Sequence, residues 1–200
     1  LGLAVFILVL QASYKWTRRS LGDAVLTRLK KLLGVFVAAV LYFVMAYHLA
    51  NLYATEHHGI ERFILLEGGV YTFLFWVVQI IVGCLIPLAL IFIKPMSQSR
   101  RMVTLAASLV IIGGLAQLYV IVIGGQAYPL VLFPGMEVSS SFFDGVTAEY
   151  IPSIFEILLG FGGVCLALAI VTIGIAVLEF LPESLSDQAL KLDSANPSST

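Results

Sequence analysis

Charge is what this chain has least of. Asp, Glu, Lys and Arg make up 12% of its 200 residues, and the formal net charge is −1. No polybasic surface is available for nucleic acid. Cysteine is nearly absent, and Cys84 and Cys165 lie in apolar runs without CxxC or any other ligand spacing. That excludes a disulfide framework and an iron–sulfur site and leaves buried structural thiols as the reading. Histidine is equally scarce. Of His48, His57 and His58, only His48 falls inside an apolar run, so the facing pair that a b-type haem requires is missing and no haem is expected. GxGxxG on a strand–helix unit, GxSxG and HExxH are all absent, as is any repeat of about 20–50 residues. The start, LGLAVFILVLQASY, has neither a basic leader nor a small-residue cleavage site, which makes it a poor signal peptide. It reads as the end of a helix whose beginning is missing, and the chain as the C-terminal part of a longer protein.

What is present is apolar. Sixty per cent hydrophobic residues and a mean hydropathy of +1.02 describe an all-α integral membrane protein, because several runs exceed the ~18 apolar residues that mark a span. Five transmembrane helices are expected, at about 1–14 (truncated), 32–54, 63–93, 102–123 and 153–181. Pro87, four residues after Gly83, predicts a kink in the long third span. The 15–31 connection carries Lys15, Arg18, Arg19, Arg28, Lys30 and Lys31, and the 94–101 connection carries Lys94, Arg100 and Arg101, nine of the eleven basic residues. The positive-inside rule therefore places both connections and the 182–200 tail in the cytoplasm. Within the first connection, LGDAVLTRLKK reads either as an amphipathic surface helix or as a solvated basic linker. The outward 124–152 connection is long, apolar and aromatic, with turn signals at Pro134-Gly135 and Asp144-Gly145, and is expected to form an ordered lid. Ser153 and Glu156 match a capping box opening the last span, a plainer role for Glu156 than catalysis. Gly160, Gly163, Ala167 and Gly174 suit close helix packing in lipid.

The costly polar residues gather near the 55–62 turn. His48 lies about 9 Å from the end of its helix at ~1.5 Å per residue. Asn51 follows it, Glu67 and Tyr71 open the next span four residues apart on one face, and Gln117 and Gln126 end the following helix at the same level. Asn51, Gln79 and Gln117 taken singly read as interhelical polar glue. A buried carboxylate needs a stronger reason, so Glu67 with His48 is expected to form a proton or quinone site. Glu56, His57, His58 and Glu61 read as solvated turn residues rather than a metal site.

The HLANLY…EGGVYTFLFW…GCLIP pattern followed by Gly124-Gly125-Gln126-Ala127-Tyr128-Pro129 resembles the NrfD/polysulfide-reductase (PsrC-like) family of membrane subunits, most of all its DsrP-type members in sulfite-reduction-associated redox complexes. The resemblance covers about residues 32–182 and corresponds to the second four-helix bundle plus the final helix. It implies a haem-free subunit exchanging electrons between menaquinone or ubiquinone and an iron–sulfur, ferredoxin-like partner, with further redox subunits and possible proton conduction. It also implies a quinol pocket in the first bundle, which makes His48 and Glu67 proton-path residues. Where many relatives carry Arg or Asn before the GGQ run, this chain has Leu118-Tyr119-Val120-Ile121-Val122-Ile123, so no role carries over to those positions. Two other readings remain open on residues alone: a secondary transporter or ion channel, and a purely structural membrane anchor.

Overall fold

The computed structural model describes residues 1–93, 99–128, 150–178, 182 and 184–187. It is helical, with elements α1 Gly2–Trp16, β1 Ser20–Leu21, α2 Asp23–Tyr53, α3 His58–Arg62, α4 Val70–Phe92, α5 Arg100–Ala127, α6 Ile154–Val177 and β2 Ser184–Leu185. Four of these, α2, α4, α5 and α6, are long and apolar enough to cross a membrane, and α1 is a shorter apolar helix. The expected lid lies mostly outside the described residues, as do Lys94 and the tail beyond Asp187.

The boundaries differ from the sequence expectation in two informative places. LGDAVLTRLKK is neither a surface helix nor a linker, because α2 starts at Asp23 and runs unbroken for 31 residues. At ~1.5 Å per residue it is about 46 Å long, well beyond the ~30 Å hydrocarbon layer, which leaves its basic first turns room outside the apolar layer. The expected 63–93 span is interrupted at Gly68-Gly69, where Gly69 takes φ +54°, a conformation open to glycine at little steric cost. Upstream of that break a wide turn, Phe63–Glu67, continues α3 with π-helical spacing. Downstream, α4 keeps π-helical spacing from Leu74 to Leu85 and returns to α spacing at Ile86. The ladder thus changes one residue before the buried Pro87, which has no N–H to offer.

The contacts divide the chain into two units, Leu1–Leu8 with Leu29–Tyr150, and Val9–Arg28 with Ile151–Thr200. In the first, Ala4, Ile7, Leu33, Val37, Cys84, Ile91, Val103, Ala106 and Ala107 form the main core, and Val44, Ile64, Phe75, Ile80 and Val120 form a second one. Helices α4 and α5 meet at Gly83 and Gly113, where a methyl group on either glycine would overlap the other's Cα. Small residues that let two backbones touch are a common packing device in lipid.

In the second unit, β1 and β2 pair in parallel, Ser20 with Ser184 and Leu21 with Leu185, over a core of Tyr14, Leu21 and Leu26. The Asp187 carboxylate accepts a hydrogen bond from the Ala24 amide at 3.0 Å, satisfying a free donor in the first turn of α2. The capping box at the start of α6 is present, with Ser153 N donating to Glu156 Oε2 at 2.6 Å and Glu156 N to Ser153 Oγ at 3.3 Å. Helix α6 buries no residue. Cys165 is accordingly exposed, against expectation, whereas Cys84 is buried.

The glycine contact can be tested directly. Gly113→Val should destabilise the detergent-extracted protein by ~1–3 kcal/mol, the usual cost of overpacking, read as a lower melting temperature. An unchanged melting temperature would show that α4 and α5 do not meet at this point.

Candidate functional site

The site is built around a carboxylate that the sequence hides. Glu61 belongs to α3, a short helix in the connection between α2 and α4, and it is 1% exposed. Its burial follows from helical spacing. Glu61 and Ile64 are three residues apart and share the buried face of α3 and its continuation, whereas Glu67, at the end of the wide turn that follows, is exposed.

Both oxygens of Glu61 are engaged. Asn51 Nδ2 donates to Oε1 at 2.8 Å, and His48 Nδ1 lies 2.6 Å from Oε2. His48 and Asn51 are three residues apart on the last turns of α2 and so present one face to the incoming carboxylate. Because an amide N–H₂ can only donate, Oε1 accepts, and the hydrogen bond between Oε2 and Nδ1 holds one proton whose owner is set by the protonation state of the pair. That leaves His48 Nε2 as the imidazole's second proton position, with no hydrogen bond to a described residue. The ring, 13% exposed, is held edge-on against Phe75 with centroids 4.7 Å apart. A shared proton on one nitrogen and a free position on the other are the equipment for passing a proton across an imidazole.

His48 and Phe75 line a cavity of about 450 Å³ bounded by α2, α3, α4 and α5, with Tyr47, Gln79, Gln117 and Val120 among its walls. A second cavity of about 430 Å³ lies alongside, walled by α1, α2, α4 and α5, and shares Val40, Phe43, Gln79 and Gln117 with the first. Its lining is otherwise apolar. Both volumes fall in the ~300–1,000 Å³ range of small-molecule sites. Gln79 is 4% exposed, and neither it nor Gln117 hydrogen-bonds to a described residue. The reading of these two amides as interhelical glue is therefore replaced by one in which they face open volume.

Of the six residues singled out by sequence, the structure gathers His48, Asn51 and Gln117, and separates Glu67, Tyr71 and Gln126. Glu67 is not the partner of His48. It is 54% exposed and receives a hydrogen bond from Arg62 Nε at 2.7 Å. The break at Gly68-Gly69 also removes it from the helical face of Tyr71, since the four-residue rule needs an unbroken helix. Tyr71 stacks on Tyr119 at 6.2 Å, touches Phe63 and packs against Gly124. Gln126 is exposed and lines neither cavity. Tyr128 packs edge-on against Phe63, with its hydroxyl over Gly59. His58 Nε2 bonds to the Leu52 carbonyl at 2.6 Å, so it serves to close the turn. Among the described residues no group of His, Cys, Asp and Glu is arranged to hold a metal ion.

These features define a polytopic membrane helix bundle with a buried carboxylate–imidazole pair beside an apolar cavity. Residues 1–129 match the family described as polysulphide reductase, NrfD, and the chain belongs to that family. It is also similar to a curated protein of Archaeoglobus fulgidus, an Hdr-like menaquinol oxidoreductase integral membrane subunit, at 24% identity over 193 residues. That alignment covers 95% of this chain and 48% of the relative, so the chain spans about half the relative's length. No solved structure matches it.

The two carboxylates should behave oppositely. Glu61→Ala leaves the His48 and Asn51 donors without their acceptor and should cost ~1–3 kcal/mol, whereas Glu67→Ala, at an exposed pair, should stay within about 0.5 kcal/mol. Comparing the two melting temperatures checks this, and equal losses would contradict the placement of Glu61.

Proposed function

We propose that this chain is part of the membrane subunit of a menaquinol-oxidising redox complex, in which His48, Glu61 and Asn51 receive and pass on protons. The observation that carries this reading is the 2.6 Å contact between His48 Nδ1 and Glu61 Oε2, a hydrogen bond with one proton between them, on the wall of an apolar cavity. Membership of the NrfD family and similarity to a menaquinol oxidoreductase subunit support it. The latter favours menaquinone over ubiquinone.

Oxidation of a quinol to a quinone releases two electrons and two protons. The electrons go to an iron–sulfur partner subunit, the class of acceptor that the family resemblance implies, with further redox subunits beyond it. His48 Nε2 accepts the two protons from the cavity one at a time, the second after the first has been passed on. The Nδ1 proton then moves toward Oε2, and Asn51 holds the carboxylate in position by its bond to Oε1. Water at the end of the bundle takes the proton onward. With the basic connections on the cytoplasmic side of a prokaryotic inner membrane, this end faces outward and the protons leave there. The HLANLY…GGQAYP pattern supports a place in sulfur-compound metabolism.

The test uses the full-length protein in its native complex, following menadiol oxidation with a soluble one-electron acceptor. Glu61→Gln keeps the size and both hydrogen-bonding positions but no longer exchanges the proton, and turnover should fall at least tenfold. General acid–base groups contribute ~10²–10⁴-fold in rate. Glu67→Gln should turn over at the wild-type rate. Wild-type turnover in an assembled Glu61→Gln complex would refute the proton role.

A further inference from the structure

Two amide side chains in this bundle make no hydrogen bond to a described residue. Gln79 is more than nine-tenths buried, and both Gln79 and Gln117 line each of the two cavities. An amide that faces open volume and bonds to no described residue takes water or a ligand as its partner, whereas the small apolar side chains used elsewhere in α4 and α5 would need neither. The amides lie between unlike spaces. On one side is the cavity that contains His48 and Phe75. On the other is a cavity lined by Leu33, Val37, Ala39, Cys84 and Val110, with no ionisable side chain except the Cys84 thiol. Phe43, which borders both, is 68% exposed, so the wall it forms adjoins the surface that a membrane helix turns toward lipid.

We infer that Gln79 and Gln117 are the binding residues of a quinol site in this bundle: the ring sits in the His48 cavity, one ring oxygen bonds to the two amides, and the isoprenoid tail occupies the adjoining apolar cavity. An amide both donates and accepts, so it holds the hydroxyl of a quinol and the carbonyl of a quinone equally well. The edge-on Phe75 and the apolar walls suit a flat aromatic ring. The second ring oxygen faces His48. The apolar cavity supplies what a tail requires and a hydrophilic substrate does not. This inference rests on the proposed function and goes further, since it places the quinol in this bundle and names the residues that hold it.

The test separates the two. Equilibrium binding of radiolabelled 2-methyl-1,4-naphthoquinone, with and without a four-isoprene tail, is measured on the detergent-purified full-length complex, and quinol turnover is measured in parallel. Gln79→Leu should weaken the binding of both quinones at least tenfold. Ala39→Phe, which fills the apolar cavity, should weaken the tailed quinone at least tenfold more than the tailless one. Gln117→Leu replaces Gln79→Leu if the latter does not assemble. Wild-type binding of both quinones in assembled variants would overturn the inference and place the quinol elsewhere, whatever the turnover. Turnover lost in Glu61→Gln but unchanged in the glutamine and Ala39 variants would leave the proposed function standing without this site. Tight naphthoquinone binding that depends on Gln79, in a wild-type complex that oxidises no quinol, would uphold the site and refute the function.

Discussion

A carboxylate inside a membrane bundle dictates much of what surrounds it. Taking one out of water costs on the order of several kcal/mol even after relaxation, and Glu61 is 1% exposed. The cost is tolerable only because each oxygen meets a donor position, and both donors come from consecutive turns of one helix. The rest of this end of the bundle follows. Helix α2 must extend to Tyr53 to bring His48 and Asn51 level with α3. The turn after it must fold back at once, and α3 must present Glu61 on the same side as Ile64. Phe75 then seals one side of the imidazole. Removing any one of these leaves a polar group without its partner in a place that water reaches poorly.

The glycine pair sets the other dimension. Where Gly83 meets Gly113 the backbones of α4 and α5 touch, and nothing intervenes. Two helices that touch at one level and are spread by larger side chains at another leave space beside the contact. Both cavities lie next to it, and one counts Gly83 and Gly113 among its walls. The π-helical stretch Leu74–Leu85 adds to this effect, because each wide turn alters which residues face inward. Gln79 is in the middle of that stretch.

These two constraints explain what could be read from sequence and what could not. The membrane class, the helical fold, the helices near 32–54, 102–123 and 153–181, and the capping box at Ser153 follow from composition, run length and local chemistry, and the structure bears them out. The family was legible from HLANLY and GGQAYP. His48 and Asn51 stood out as polar groups in an apolar run. Glu61 did not, because EHHGIER reads as a solvated turn when each residue is judged by its neighbours in sequence. The signal was the three-residue spacing of Glu61 and Ile64, which has meaning only once α3 is known to begin at His58 rather than at Phe63. Glu67 was chosen over it because an unbroken helix from 63 to 93 would have turned Glu67 inward with Tyr71. Gly68-Gly69 breaks that helix, and the paired glycines were the available warning.

The distribution of chemistry among the polar residues is itself an argument. Among the described residues, Glu61 is the buried carboxylate at this end, and it bonds to the partly buried His48. The side chains left to face the cavity junction are neutral amides. An unpaired charge at the junction would be costly whenever the cavity stood empty, whereas an amide tolerates a water molecule as readily as a ring oxygen. Charge is thus kept where the protein can satisfy it permanently, and neutral hydrogen-bonding groups are kept where they border open volume. A purely structural anchor has no use for that division, because interhelical glue would bring Gln79 and Gln117 into contact with other protein groups rather than leave both facing open volume.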